Sequence, residues 1–84
     1  MGPMQALTQS LLEAIALRKC VIATYNGLVM KLAPHILYTR HGELYIDAVA
    51  LERAGQPPRE IKIGTFKLAG LTNLTRRRHQ RCEG

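Results

Sequence analysis

The stretch "MQALTQSLLEAIALRK", 4–19, carries apolar residues at helical spacing. Met4, Leu7, Leu11, Ala14 and Ile15 fall on one stripe, which Arg18 extends, and neither Gly nor Pro interrupts it. That period predicts one amphipathic helix with a single face to bury. Pro3 suits its first turn, where a missing N–H costs nothing. A capping box from Ser10 to Glu13 would start the helix later and leave it very short, so the earlier start is preferred. Arg18 and Lys19 then stand at the C-terminal end, where unpaired carbonyls favour cations.

From residue 20 the pattern changes. "CVIATY", 20–25, is rich in β-branched and aromatic residues and predicts a strand. Asn26-Gly27 comes next, two residues that tolerate the positive φ of a tight hairpin. The return strand is "LVMKLAPHILYTR", 28–40, and Pro34, which cannot donate a ladder hydrogen bond, requires a bend, a bulge or an edge position there. A long strand bent in its middle is how a small sheet curls. His41-Gly42 makes a second tight turn into "ELYIDAVAL", 43–51. On that strand Leu44, Ile46, Ala48 and Ala50 share one face, and Tyr45, Asp47 and Val49 the other. Gly55, Pro57 and Pro58 break the polar segment 52–60. A fourth strand is expected over about 60–66, built on "IKIGTF" with Gly64 as a bulge. "KLAGL", 67–71, has the length of a single helical or 3₁₀ turn, and "TNLT", 72–75, adds a short last strand.

These elements predict one α+β, mainly β domain over 1–75: a helix, then four to five antiparallel strands curled toward a small barrel whose opening the helix covers. The expected core is Leu7, Leu11, Ile15, Val21, Ala23, Leu32, Ile36, Leu44, Ile46, Ala48, Ile63, Phe66 and Leu71.

Composition narrows this picture. With 84 residues, such a chain buries only ~60% of its unfolded surface, so a shallow surface site is expected rather than a deep one. An apolar fraction of 46% excludes global disorder. No apolar run approaches the ~18 residues of a membrane-spanning helix. The first residues lack a basic stretch ahead of an apolar run, so no secretory signal is expected, and position 6 is Ala rather than the Ser or Thr of a myristoylation motif. Cys20 and Cys82 are expected as free thiols in a reducing cytoplasm. Neither has a partner set at zinc spacing; His79 and Cys82 together supply too few ligands. The formal charge is +6. Four Arg against one Glu fall within 76–84, a stretch expected to be a disordered basic tail, and the rest of the chain is mildly basic. That balance favours polyanionic partners.

Catalysis finds little support, and no enzyme is expected. The only serine, Ser10, lies on the helix, and Glu13, Glu43, Asp47, Glu52 and Glu60 are scattered rather than paired. "NGLVMK" lacks the second Gly and the Lys-Ser/Thr end of a phosphate loop. No cofactor or metal is called for.

The order of motifs resembles the WYL domain of bacterial regulators. Ala14-Ile15 and Arg18 match the family's first segment and Tyr25 its aromatic end; Pro34-His35 match the second. Leu44-Tyr45-Ile46 stand at the name-giving triplet, and Phe66 to Leu71 match the closing segment. The likeness spans about residues 8–75. Leu44 replaces the triplet's Trp, and Ala69-Gly70 replace the usual closing Asp-Arg. The resemblance implies an SH3/Sm-like barrel and a cytoplasmic, transcription-linked sensor that binds nucleotides or single-stranded nucleic acid through polar and basic residues. The chain is similar to the short, free-standing members.

The candidate binding residues are Tyr25, His35, Tyr38, Arg40, Tyr45 and Lys67. Aromatic rings offer stacking platforms, a neutral imidazole or phenol can hydrogen-bond a base edge, and cations hold phosphates. Tyr38 and Arg40 share strand parity, as do Tyr45 and Asp47; if those faces coincide, Arg40 and Asp47 can pair across the hairpin. The alternative is a protein-interaction module, in which exposed strand edges pair a second copy into a homodimer.

Overall fold

The computed structural model describes the backbone of residues 3–81 and the side chains of 4–75. The chain runs α1 (Pro3–Leu17), β1 (Lys19–Tyr25), β2 (Leu28–Arg40), β3 (Glu43–Arg53), β4 (Ile63–Lys67), a 3₁₀ turn η1 (Leu68–Gly70) and β5 (Leu71–Arg81). The fold is α+β, mainly β: one N-terminal helix on a five-stranded antiparallel sheet. Strand order is β4-β3-β2-β1-β5. The expected barrel does not close. β4 and β5 are consecutive strands in the chain but lie at opposite edges of the sheet, and no ladder joins them.

Helix α1 ends sooner than the apolar stripe suggests. Arg18 adopts φ 54° and its N–H reaches the Ile15 carbonyl at 3.3 Å. This left-handed residue closes the helix, so Lys19 opens β1 instead of ending α1. Both hairpin turns have the expected form, with positive φ at Asn26 and Gly27 and again at His41 and Gly42, as a two-residue type I′ turn requires.

Two shifts in register curl the central strands. β2 and β3 slip by one residue between Lys31 and Leu32 and again between Pro34 and Ile36. The second slip is the bulge Pro34 demands: Pro34 stands opposite Ala48, Ile36 opposite Asp47, and His35 has no opposite residue. One extra residue moves the remainder of the strand to the other face of the sheet.

The core lies between α1 and the inner face. Leu11 and Ala14 of α1 meet Val21, Ala23, Met30, Leu32, Ile46, Ala48, Ala50, Phe66, Leu68 and Leu71. Leu7, Ile15 and Leu44 pack against this cluster while partly exposed. Two expected core residues are not there: Ile36 and Ile63 are 56% and 55% exposed. Ile36 lies just past the bulge and so faces outward beside Asp47. Ile63 faces outward because β4 pairs regularly with β3, without the bulge expected at Gly64, which sets Gly64 opposite Ala48 and Phe66 opposite Ile46. Met30, Ala50 and Leu68 fill the core instead.

β5 is longer than the sequence predicts. It pairs with β1 from Leu71 opposite Tyr25 to Arg81 opposite Lys19, through two irregularities. The backbone of 76–81, expected as a disordered tail, is therefore strand, because ladder hydrogen bonds need no apolar side chains. Residues 82–84 lie outside the described residues. Cys20, expected as a free thiol, is disulfide-bonded. The sequence holds one other cysteine, Cys82, which lies outside the described residues. No helix among the described residues is long and apolar enough to cross a membrane.

Candidate functional site

The outer face of the sheet, away from α1, gathers most of the candidate residues. β2 and β3 pair Tyr38 with Tyr45 and Arg40 with Glu43; β3 and β4 pair Tyr45 with Lys67 and Asp47 with Thr65. Strand alternation puts Arg40, Tyr38, Glu43, Tyr45, Asp47, Thr65 and Lys67 on this one side. The face exists because the bulge at His35 brings Tyr38 and Arg40 into phase with Tyr45.

The two tyrosine rings stack, with centroids 5.9 Å apart and planes at 20°. A directly opposed aromatic pair of this kind contributes ~0.5–1.5 kcal/mol beyond its buried area. The Tyr38 hydroxyl donates to Asp47 Oδ1 at 2.8 Å, and the Thr65 hydroxyl donates to the same oxygen at 3.0 Å. Asp47 thus anchors one edge of the platform. At the other edge, Lys67 Nζ is 2.9 Å from Glu43 Oε2, to which the Tyr45 hydroxyl also donates at 3.4 Å. The Glu43 carboxylate, by its hydrogen bond first and its charge second, holds the Lys67 ammonium above its ordinary pKa of 10.5.

Arg40 and Asp47 share a face, yet they do not pair. Register sets Asp47 opposite Ile36 and Arg40 opposite Glu43, and Asp47 takes Tyr38 and Thr65 as its donors. Arg40 is exposed and forms no ion pair among the described residues. The two cations Arg40 and Lys67 are matched by the carboxylates of Glu43 and Asp47, so the patch carries no net charge. Its capacity is stacking on a fixed ring pair, one free guanidinium and a carboxylate acceptor.

The other candidates fall elsewhere. Tyr25 belongs to the inner face: its ring meets Phe66 edge-on at a centroid distance of 5.1 Å and packs against the core. It also fixes the identity of residue 70, since a Cβ on Gly70 would stand 2.8 Å from the Tyr25 ring. His35 is exposed in the bulge, outside the tyrosine pair. Asp47, Glu43 and Thr65, which organise the platform, are not among the residues the sequence nominates; the parity that groups Asp47 with Tyr45 is the one signal that points to any of them. No cluster of His, Cys, Asp and Glu among the described residues could hold a metal ion.

No family model, curated protein or solved structure matches this chain.

Proposed function

We propose that the chain is a non-catalytic binding module whose outer sheet face takes a nucleotide or a short single-stranded nucleic acid. The observation that carries this reading is the stacked Tyr38–Tyr45 pair with the exposed, unpaired Arg40 on the same face. A base stacks on the ring pair, Asp47 accepts from a base amino group, and Arg40 contacts a phosphate. Lys67, held by Glu43, is a weaker phosphate donor than its charge alone suggests. The WYL resemblance extends the proposal to a ligand sensor in bacterial transcription regulation, acting in the cytoplasm. There the Cys20 disulfide would be reduced.

Fluorescence anisotropy with labelled oligonucleotides across a salt series tests this. Binding through Arg40 predicts a shallow dependence, with log K falling by about 0.7 per decade of salt for each neutralised phosphate. Arg40→Ala removes most of that slope. No binding at low salt, or binding that Arg40→Ala leaves untouched, counts against the proposal. A much steeper slope would assign the affinity to the arginines at 76–78 instead.

One observation favours a second reading, assembly through strand edges. β4 lies at a free edge, with Ile61 just before it and Ile63 at its start exposed at 59% and 55%. Unprotected edges of this kind pair with other chains. Light scattering over a concentration series separates the two: a dimer that ignores oligonucleotides favours assembly.

A further inference from the structure

Because the sheet does not close, a cleft remains between β4 and the β1–β2 hairpin. It has a volume of about 440 Å³, and Tyr25, Asn26, Met30, Arg53, Gly64 and Phe66 are among the residues that line it. This is on the scale of small-molecule sites, ~300–1,000 Å³. It opens on the other side of the sheet from the tyrosine platform, since Tyr25, Phe66 and Gly64 belong to the inner face and Tyr38 and Tyr45 to the outer, and Thr65, the donor to Asp47, borders both.

Part of its wall is aromatic and apolar, the rest polar. The Phe66 and Tyr25 rings meet edge to face, and Met30 is buried behind them. Gly64 keeps space open beside Phe66: a Cβ there would rest 3.4 Å from the ring, an ordinary contact, so glycine is not required by backbone strain or by a clash. A longer side chain at this position would occupy the cleft.

Its lining includes one cation, Arg53. Arg53 is held at its root by backbone hydrogen bonds in both directions with Gln56, at 2.8 and 2.9 Å. Its guanidinium forms no ion pair among the described residues, and the Tyr25 hydroxyl makes no hydrogen bond among them. The Asn26 amide, exposed in the hairpin turn, can donate or accept. A guanidinium fork suits a carboxylate, which it can bind through two parallel hydrogen bonds.

We propose that this cleft is a second binding site, for a small organic anion with a flat apolar body: an aryl carboxylate. The carboxylate sits on Arg53, with Tyr25 and Asn26 completing its hydrogen bonds, and the ring lies against Phe66 beside Gly64.

Naphthoate is the probe, monitored by amide chemical shifts of the whole chain. Saturable shifts centred on Asn26, Arg53 and Gly64 are expected. Arg53→Ala weakens naphthoate by about tenfold, the loss of one charged hydrogen-bonding partner, and Gly64→Leu abolishes its binding while far-ultraviolet circular dichroism stays native. The uncharged naphthalene methanol binds at least as weakly as naphthoate does to Arg53→Ala. Shifts centred elsewhere, equal affinity for the alcohol, or an Arg53→Ala variant that binds as well as the parent would overturn the proposal. So would inorganic phosphate competing as well as naphthoate, since the ring would then contribute nothing. Arg40→Ala leaves naphthoate binding unchanged, which keeps this outcome independent of the nucleotide reading.

Discussion

At the scale of single residues, the outer face shows how a neighbour rewrites the role of a charged group. Lys67 reads in the sequence as a spare cation, yet in the fold it is Glu43's partner. Its raised pKa has a definite sign in pH. The Glu43–Lys67 contribution is complete below the unfolded value of 10.5 and is lost as pH rises through the higher folded value. A carbon-detected titration of the Lys67 side chain should place its midpoint above 10.5, and Glu43→Gln should bring it down. An identical midpoint in the two proteins would show that Glu43 is not the cause. Asp47 tells the same story from the acceptor side. Sequence parity puts it on the tyrosine face; only the register gives it Tyr38 and Thr65 and leaves Arg40 unpaired.

At the scale of elements, the helix and the hairpins are legible in the sequence and the strand phases are not. The apolar stripe of α1 survives folding because Leu11 and Ala14 lose all exposure while Leu7 and Ile15 flank them. α1 packs on β1, β2, β5 and η1 at once, so its central leucine is shared by most of the sheet. Leu11→Ala should therefore cost ~2–5 kcal/mol, the range for emptying a buried leucine site. Urea denaturation checks this against Leu12→Ala, an exposed neighbour on α1 that should lose far less. Equal losses would mean that α1 is not docked on this face. The hairpin turns are readable because Asn-Gly and His-Gly act locally, through backbone conformation alone. Ile36 is misplaced by the sequence pattern because a parity count survives only until an unpaired residue intervenes, and Ile63 because the pattern expects a bulge that the ladder lacks. Pro34 announces an irregularity in β2 without fixing its position, and Gly64 suggests one in β4 that the ladder does not contain.

At the scale of the molecule, three groupings depend on the whole sheet: the tyrosine platform, the open seam and the anchored start of β1. The first joins β2, β3 and β4; the second separates β4 from the β1–β2 hairpin. The third involves the disulfide-bonded Cys20, which is 2% exposed. Thiol titration of the denatured, unreduced protein should find fewer free thiols than the two cysteines of the sequence. Loss of both with the mass of one chain indicates a bond within the chain; loss of one with doubled mass indicates a bond between chains. Two free thiols per chain would remove the disulfide from the account.

The sequence by itself determined the helix, both tight turns, the antiparallel run of strands and an irregularity near Pro34. Each rests on local periodicity or on the conformational limits of one or two residues. The tertiary structure alone decided which face each side chain occupies beyond the bulge, that β4 and β5 stay apart, and that Arg53 borders a cleft with Tyr25 and Phe66. These features depend on register and closure, which are set by contacts between residues far apart in the chain. No short stretch of sequence encodes them.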